Sequence, residues 1–218
     1  MASAVVPAAG RSRRMGRPKL LLPFGRGTVL GSTLAALAGG GTGRIAVVTR
    51  PDDEDLAAWL AGEALGEIAR RTGSERGAGP ALVPAVNPDP ARGMLSSILA
   101  GLDALAARPC HEPGQAGLAP LLVCPGDLPA VSADTVRRVL EAASGRAAAL
   151  AVPVHRGKRG HPLAVGGTLI PEIGELDPAV GLRQLLERHP DAVVEVPVDD
   201  PGSVRDLDTP EDYRELRP

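Results

Sequence analysis

Short apolar runs recur along the chain, each ending in a turn and passing into a stretch with helical spacing, and they restrict its fold more than any other feature. Ala4-Val5-Val6, Arg44-Ile45-Ala46-Val47-Val48-Thr49, Ala81-Leu82-Val83-Pro84-Ala85-Val86, Pro120-Leu121-Leu122-Val123-Cys124 and residues 147–154 read as strands. Between the first two, Thr28 is placed to cap a helix with Val29, Leu30, Leu34 and Leu37 at helical spacing, ended by Gly39-Gly40-Gly41. Residues 52–71 are acidic at their start and basic at their end, which predicts one broad helix. Further helices are expected after Gly93, through Leu99, Leu102 and Leu105, from Ser132 to Ala143, and around Gly181-Leu182-Arg183, with a strand over residues 193–198. Alternating strands and helices make this an α/β chain. Pro84 counts against its run, because proline cannot donate to a strand ladder.

At 218 residues and 44% hydrophobic composition, the chain can bury a core, and one domain over residues 1–218 is expected. Charge is uneven: residues 1–51 hold eight basic and no acidic residues, against sixteen basic and twenty-six acidic in the remainder. That asymmetry favours a local anion site over nucleic-acid binding. With one Phe, one Trp and one Tyr there is no platform for stacking bases. Cys110 and Cys124 fit neither a zinc pair nor a C-x-x-C, so two reduced thiols are expected. No apolar run approaches the ~20 residues needed to span a bilayer, and a cytoplasmic protein without a membrane partner is predicted.

The first strand stops at Ala8-Ala9-Gly10, where small residues let backbone N–H groups approach a ligand. Arg11, Arg13, Arg14, Arg17 and Lys19 follow, and no acidic residue precedes Asp52. Phosphate is the natural guest of that field, unless the run is only a solvated basic loop. Two residues separate Gly16 from Lys19, which excludes a P-loop, and no G-x-G-x-x-G follows the strand. Lys19 is one of two lysines against twenty-two arginines.

Later segments add polar groups at strand ends. Asn87 precedes Gly93-Met94-Leu95-Ser96-Ser97, whose free N–H groups and hydroxyls serve a polar ligand or ordinary capping. Pro125-Gly126-Asp127-Leu128-Pro129 holds a carboxylate on a stiff turn at the carboxyl end of a strand, where open α/β sheets gather their sites. Ser132 already caps the next helix, and the hard oxygens of Asp127 suit Mg²⁺. The basic loop His155-Arg156-Gly157-Lys158-Arg159-Gly160-His161-Pro162 reads as a hairpin on the ligand side, with His161 either structural or functional. Arg183 either reaches an anion or lies on the surface. Asp206 and Asp208 fall on one face of an expected short strand, before a helix capped by Thr209 and opened by Pro210.

These segments together resemble the MobA-like nucleotidyltransferases over nearly the whole chain, through Ala8-Ala9-Gly10-Arg11-Ser12-Arg13-Arg14-Met15-Gly16-Arg17-Pro18-Lys19, Asn87-Pro88 with Gly93-Met94-Leu95-Ser96-Ser97, Gly126-Asp127-Leu128-Pro129 and Asp206-Leu207-Asp208-Thr209-Pro210-Glu211-Asp212-Tyr213. The resemblance implies a three-layer, Rossmann-like α/β sandwich with a mostly parallel mixed sheet. It implies nucleotide binding by Ala8, Ala9, Gly10, Arg11, Ser12, Arg14, Lys19, Asn87, Gly93, Ser96 and Ser97. Arg14, Lys19 and Asp127 become the catalytic groups, and Mg²⁺ is held by Asp127 with Asp206 or Asp208. The Gly157 to Pro162 segment resembles a G-x-x-G-H-P that lines the acceptor side, which assigns Arg159, Gly160 and His161 to the acceptor.

Within that family, A-A-G together with G-H-P resembles the molybdenum cofactor cytidylyltransferases. They join CTP to molybdopterin, a phosphorylated pterin, and a molybdenum hydroxylase would receive the product. Guanylyl members typically carry A-G-G or G-G-G instead. Competing readings are another nucleotide or a sugar-phosphate-like acceptor, a flavin-dependent oxidoreductase, for which no residue here would grip a flavin, and a non-catalytic carrier.

Overall fold

The computed structural model describes residues 1–74, 79–107 and 119–217. The expected loop over residues 108–118, with Cys110, lies outside them, as do residues 75–78 of the loop expected at 72–80. In order, the elements are β1 (Ala2–Pro7), β2 (Pro23–Phe24), β3 (Gly27–Thr28), α1 (Val29–Gly39), β4 (Thr42–Thr49), α2 (Glu54–Gly62), α3 (Ala64–Thr72), β5 (Ala81–Val86) and α4 (Met94–Ala106). Then follow β6 (Leu121–Val123), α5 (Ala133–Ala143), β7 (Leu150–His155), β8 (Lys158–Arg159), β9 (Leu163–Val165), α6 (Arg183–Arg188), β10 (Val193–Pro197) and α7 (Pro210–Leu216).

The main sheet runs β10-β7-β9-β6-β1-β4-β5, with β8 added to β7. Pairing is parallel from β6 through β1 and β4 to β5, and between β10 and β7. β9 runs against both β6 and β7. The sheet is therefore mixed but mostly parallel, with helices on both faces, as the alternation and the resemblance implied. β1 sits near the middle because its residues are small, branched and buried on both sides. Ala4 and Val6 join the core under α1, α2, α3 and α5, while Val5 joins the core under α4 and α6. Ile45 and Val47 alternate with Ala46 and Val48 in the same way. Each of the buried Val and Ile side chains contributes about 1.5–3 kcal/mol relative to exposure. Pro84 is tolerated because β5 is an edge strand.

Three expectations on local structure need correction. Residues 52–71 form two helices, α2 capped by the Asp53 carboxylate and α3, with a break at Glu63. The strand expected from Ala147 begins at Leu150, because residues 147–149 are held in a turn by Ala149 N–H donating to the Arg146 carbonyl. Asp206 and Asp208 are not in a strand: residues 205–208 have no regular structure, and Leu207 N–H donates to the Asp127 carbonyl at 2.9 Å. Among the described residues, no helix is long and apolar enough to cross a membrane.

Candidate active site

The site is built by β1 and β6 carrying their pairing one step past their ends. Cys124 N–H donates to the Val5 carbonyl, Gly126 N–H to that of Pro7 and Ala8 N–H to that of Val48. The turn with Asp127 is thereby laid beside the first loop. That loop tightens at residues 13–15, with Ser12 in the left-handed region at φ 49° and Gly16 at φ 70°. Lys19 N–H donates to Ser12 Oγ at 3.4 Å, so the loop folds Lys19 back over the turn.

The C-terminal arm closes the third side. Met15, Phe24, Val29, Leu207 and Tyr213 form a small cluster of their own, and Tyr213 Oη donates to the Pro23 carbonyl at 2.6 Å. Next to Leu207, which is buried in that cluster, the Asp208 carboxylate reaches Lys19 and Arg14, whereas Asp206 is exposed.

Lys19 is the hub. Its Nζ lies 2.6 Å from Asp127 Oδ2 and 2.9 Å from Asp208 Oδ1, and its side chain is 11% exposed. Arg14 Nη2 reaches the other oxygen of Asp208 at 2.8 Å. Burial alone would lower the Lys19 ammonium, but Asp127 and Asp208 outweigh it and hold Lys19 above its usual range. Asp127 Oδ1 is buried without a hydrogen-bond partner. Partial loss of solvation and the neighbouring Asp127 push the Asp206 carboxyl up, partly countered by His161 and Lys19, although the residue as a whole is exposed. Burial pushes the His161 imidazole down, against the pull of Asp206 and Asp127, and its Nδ1 is buried without a partner. The Cys124 thiol is free and buried, and burial pushes it up, which makes it an inert neighbour.

Lys19, Arg14, Asp127 and Asp208 border a cleft of about 340 Å³, whereas Asp206 and His161 are not among the residues that line it. Ala8, Ala9, Gly10, Ser12, Arg14, Lys19, Gly93, Ser97, Asp127 and Asp208 all line it, so first-loop, second-motif and metal candidates converge. Others stand apart. Arg11 pairs with Asp52 at 3.1 Å. Asn87 donates through Nδ2 to Ser96 Oγ and Ser97 Oγ at 2.8 and 2.9 Å, and Asn87 and Ser96 border a separate hollow of about 260 Å³. Their position is that of a brace behind the cleft wall.

Of the acceptor candidates, His161 feels the charges of Asp206 and Asp127 but is not among the residues that line the cleft. Arg159 pairs instead with Glu195 on β10 at 2.8 Å. Gly160 faces the chain at residue 203, where a Cβ would come within 2.1 Å of the Ser203 carbonyl oxygen. Arg183 is on the surface, paired with Glu187. Sequence reasoning left Arg13, Leu20, Pro90 and Gly126 unassigned, and all four line the cleft. The signal for Arg13 was its place in the basic run. Arg50 was also missed: it donates to the Gly10 carbonyl at 3.1 Å and pairs with Asp53 at 2.8 Å, a contact between segments that no local pattern announces.

Among the described residues, no group of three His, Cys, Asp or Glu side chains is assembled to hold a metal ion. The donors present are nevertheless hard carboxylate oxygens, one buried and unpartnered. That set fits a divalent ion that takes its remaining ligands from water and substrate phosphate.

Known proteins resemble the chain over its whole length. A molybdenum cofactor cytidylyltransferase of Escherichia coli is 26% identical over 210 residues, 96% of this chain and 92% of that protein. The crystal structure of Rv0371c from Mycobacterium tuberculosis superposes with a TM-score of 0.70 at 29% identity, over 99% of this chain and 96% of that one. The same protein solved in complex with manganese gives a TM-score of 0.68 at 28% identity, over 99% and 97%. A nucleotidyl transferase from Methanothermobacter gives 0.65 at 27% identity, over 100% and 96%. Residues 4–193 match the MobA-like NTP transferase domain, and the chain belongs to that family of nucleotidyltransferases.

Proposed function

We propose that the protein transfers a nucleotidyl group from a nucleoside triphosphate to a phosphorylated acceptor, with release of pyrophosphate. The observation that carries this reading is Lys19 paired with Asp127 at 2.6 Å in the lining of one cleft, a cation suited to phosphate beside a carboxylate suited to a divalent ion. An acceptor phosphate oxygen attacks the α-phosphorus in line, and the bond to the bridging oxygen of pyrophosphate breaks. No protein nucleophile is needed. Backbone N–H groups of residues 8–12 and the Gly93 to Ser97 wall hold the nucleotide. Arg14 and Lys19, with Arg13, neutralise the β- and γ-phosphates as charge builds on the leaving group. Asp127 with Asp206 or Asp208 would hold Mg²⁺ or Mn²⁺, which when bound neutralises the α-phosphate and aligns the acceptor. The manganese complex of the mycobacterial relative supports a divalent ion here. His161, next to these carboxylates, fits the acceptor side. Gly160 would serve by letting the chain pass Ser203, and Arg159 would serve only after leaving Glu195.

A narrower reading, CTP as donor and molybdopterin as acceptor, with a molybdenum hydroxylase as client, is favoured by the E. coli cytidylyltransferase relative and by Ala8-Ala9-Gly10 in the first turn. Pyrophosphate release with Mg²⁺, offering CTP, GTP, ATP and UTP in turn with molybdenum-loaded molybdopterin or a sugar phosphate, separates the two. Release only with CTP and the pterin establishes the narrower reading. Release with another pair keeps the transfer and replaces the substrates. No release with any pair overturns both. In the active combination, Lys19→Ala is expected to weaken triphosphate binding by about tenfold or more and to leave nucleoside binding almost unchanged. Equal losses would show the phosphates to be misplaced.

A further inference from the structure

Glu67 on α3 is a carboxylate only 3% exposed, and the transfer chemistry does not use it. Its Oε1 accepts from Thr28 N–H at 2.7 Å and its Oε2 from the Thr28 hydroxyl at 3.1 Å, while Arg71 Nε pairs with Oε1 at 3.1 Å. Arg71 also donates through Nη2 to the Phe24 carbonyl at 2.5 Å. The two side chains thus grip both strands of the β2–β3 hairpin, which joins the first loop to α1. Two glycines leave room for the carboxylate: a Cβ on Gly27 would come within 2.0 Å of Oε1, and one on Gly31 within 1.9 Å. Gly31 lies inside α1, where glycine is a poor helix former, so the space is kept at the helix's expense. Desolvation offsets much of the attraction in a buried ion pair, so stability alone is a weak reason for this one.

Hydrogen bonds carry the position of the clamp to the cleft. Thr28 caps α1, its hydroxyl accepting from Gly31 N–H at 3.0 Å. The other two N–H groups at the start of α1 donate into the first loop, Leu30 to the Leu20 carbonyl at 2.9 Å and Val29 to the Leu22 carbonyl at 3.0 Å. Leu22 N–H in turn donates to the Lys19 carbonyl at 3.2 Å. Lys19, which lines the cleft, is therefore tied to the start of α1, and the start of α1 to Glu67.

We propose that Glu67 is a positioning residue for Lys19: with Arg71 it fixes the hairpin against α1, and so the place at which Lys19 meets a triphosphate. The inference rests on the nucleotidyltransferase reading for its phosphate, but not on the identity of the base or of the acceptor.

Calorimetric binding of inorganic tripolyphosphate in EDTA, well below the melting temperature of each variant, tests it without turnover. Glu67→Gln keeps the volume and removes a negative charge, so long-range electrostatics alone would tighten an anion. The expected result is the opposite, binding weaker by about three- to tenfold, because a displaced Lys19 loses its contact. In a Lys19→Ala background the same substitution is expected to cost less than about twofold, since a residue that acts through Lys19 has nothing left to act on. Arg71→Lys keeps the charge and loses the fork that spans Glu67 and Phe24; it is expected to weaken binding about two- to threefold, and it stands in if Glu67→Gln does not fold. Thr28→Ser keeps both bonds to the carboxylate and is expected to bind as the parent does. Unchanged or tighter binding in Glu67→Gln or, if that variant does not fold, in Arg71→Lys, or the same loss with and without Lys19, overturns the inference and leaves the phosphate reading standing. A parent protein that binds no tripolyphosphate overturns that reading and the inference with it.

Discussion

Asp206 shows how a site can cost stability. Its carboxyl is raised by partial loss of solvation and by Asp127, so once ionised it carries its charge in a place that disfavours it. That cost is present above the raised folded-state pKa and shrinks as pH falls through it, because the folded state then takes up a proton sooner than the unfolded one. Asp206→Asn removes it. The variant is expected to melt at a higher temperature than the parent at pH 7, with the gain fading towards the ordinary carboxylate range. Thermal melts across pH check this, and an equal or lower melting point at pH 7 would contradict it. Asp127 and Lys19 stood out in the sequence because they sit in a turn and a basic loop with few other reasons to be there, and Asp208 because it shares a face with Asp206 ahead of a capped helix. Their mutual pairing was not, since a contact across 189 residues leaves no periodicity behind it.

At the scale of elements, apolar alternation locates the strands because each buried face must be satisfied every second residue. It locates their ends poorly, as the late start of β7 and the break between α2 and α3 show. The unpaired chain at 205–208 had strand-like alternation because Leu207 is buried in a local cluster, which imposes the same pattern as a sheet. Helix packing sets a tighter limit than helix propensity. A Cβ on Gly101 of α4 would lie 2.5 Å from Val5 Cγ1, at the centre of the sheet. Gly101→Ala is therefore expected to destabilise by about 1–3 kcal/mol, although alanine is the better helix former. Urea denaturation measures this, and a stabilised variant would show that α4 rides higher on β1 than described.

For the whole molecule, the parallel half of the sheet delivers the first loop, the second motif and Asp127 to one edge, and the C-terminal arm returns across the chain to complete it. The arm is held by Tyr213 and Leu207 rather than by sheet pairing, so site assembly depends on a small cluster outside the main cores. Family membership and the βα alternation agree on this architecture. The central claim is that the cleft transfers a nucleotidyl group with Asp127 at the reacting phosphate. Its most direct test is the rate of pyrophosphate release by Asp127→Asn, in whichever nucleotide and acceptor pair the wild type turns over. The account predicts a kcat lower by about 10²- to 10³-fold or more with a near-unchanged melting temperature. Near-wild-type, divalent-ion-dependent release by that variant would contradict it.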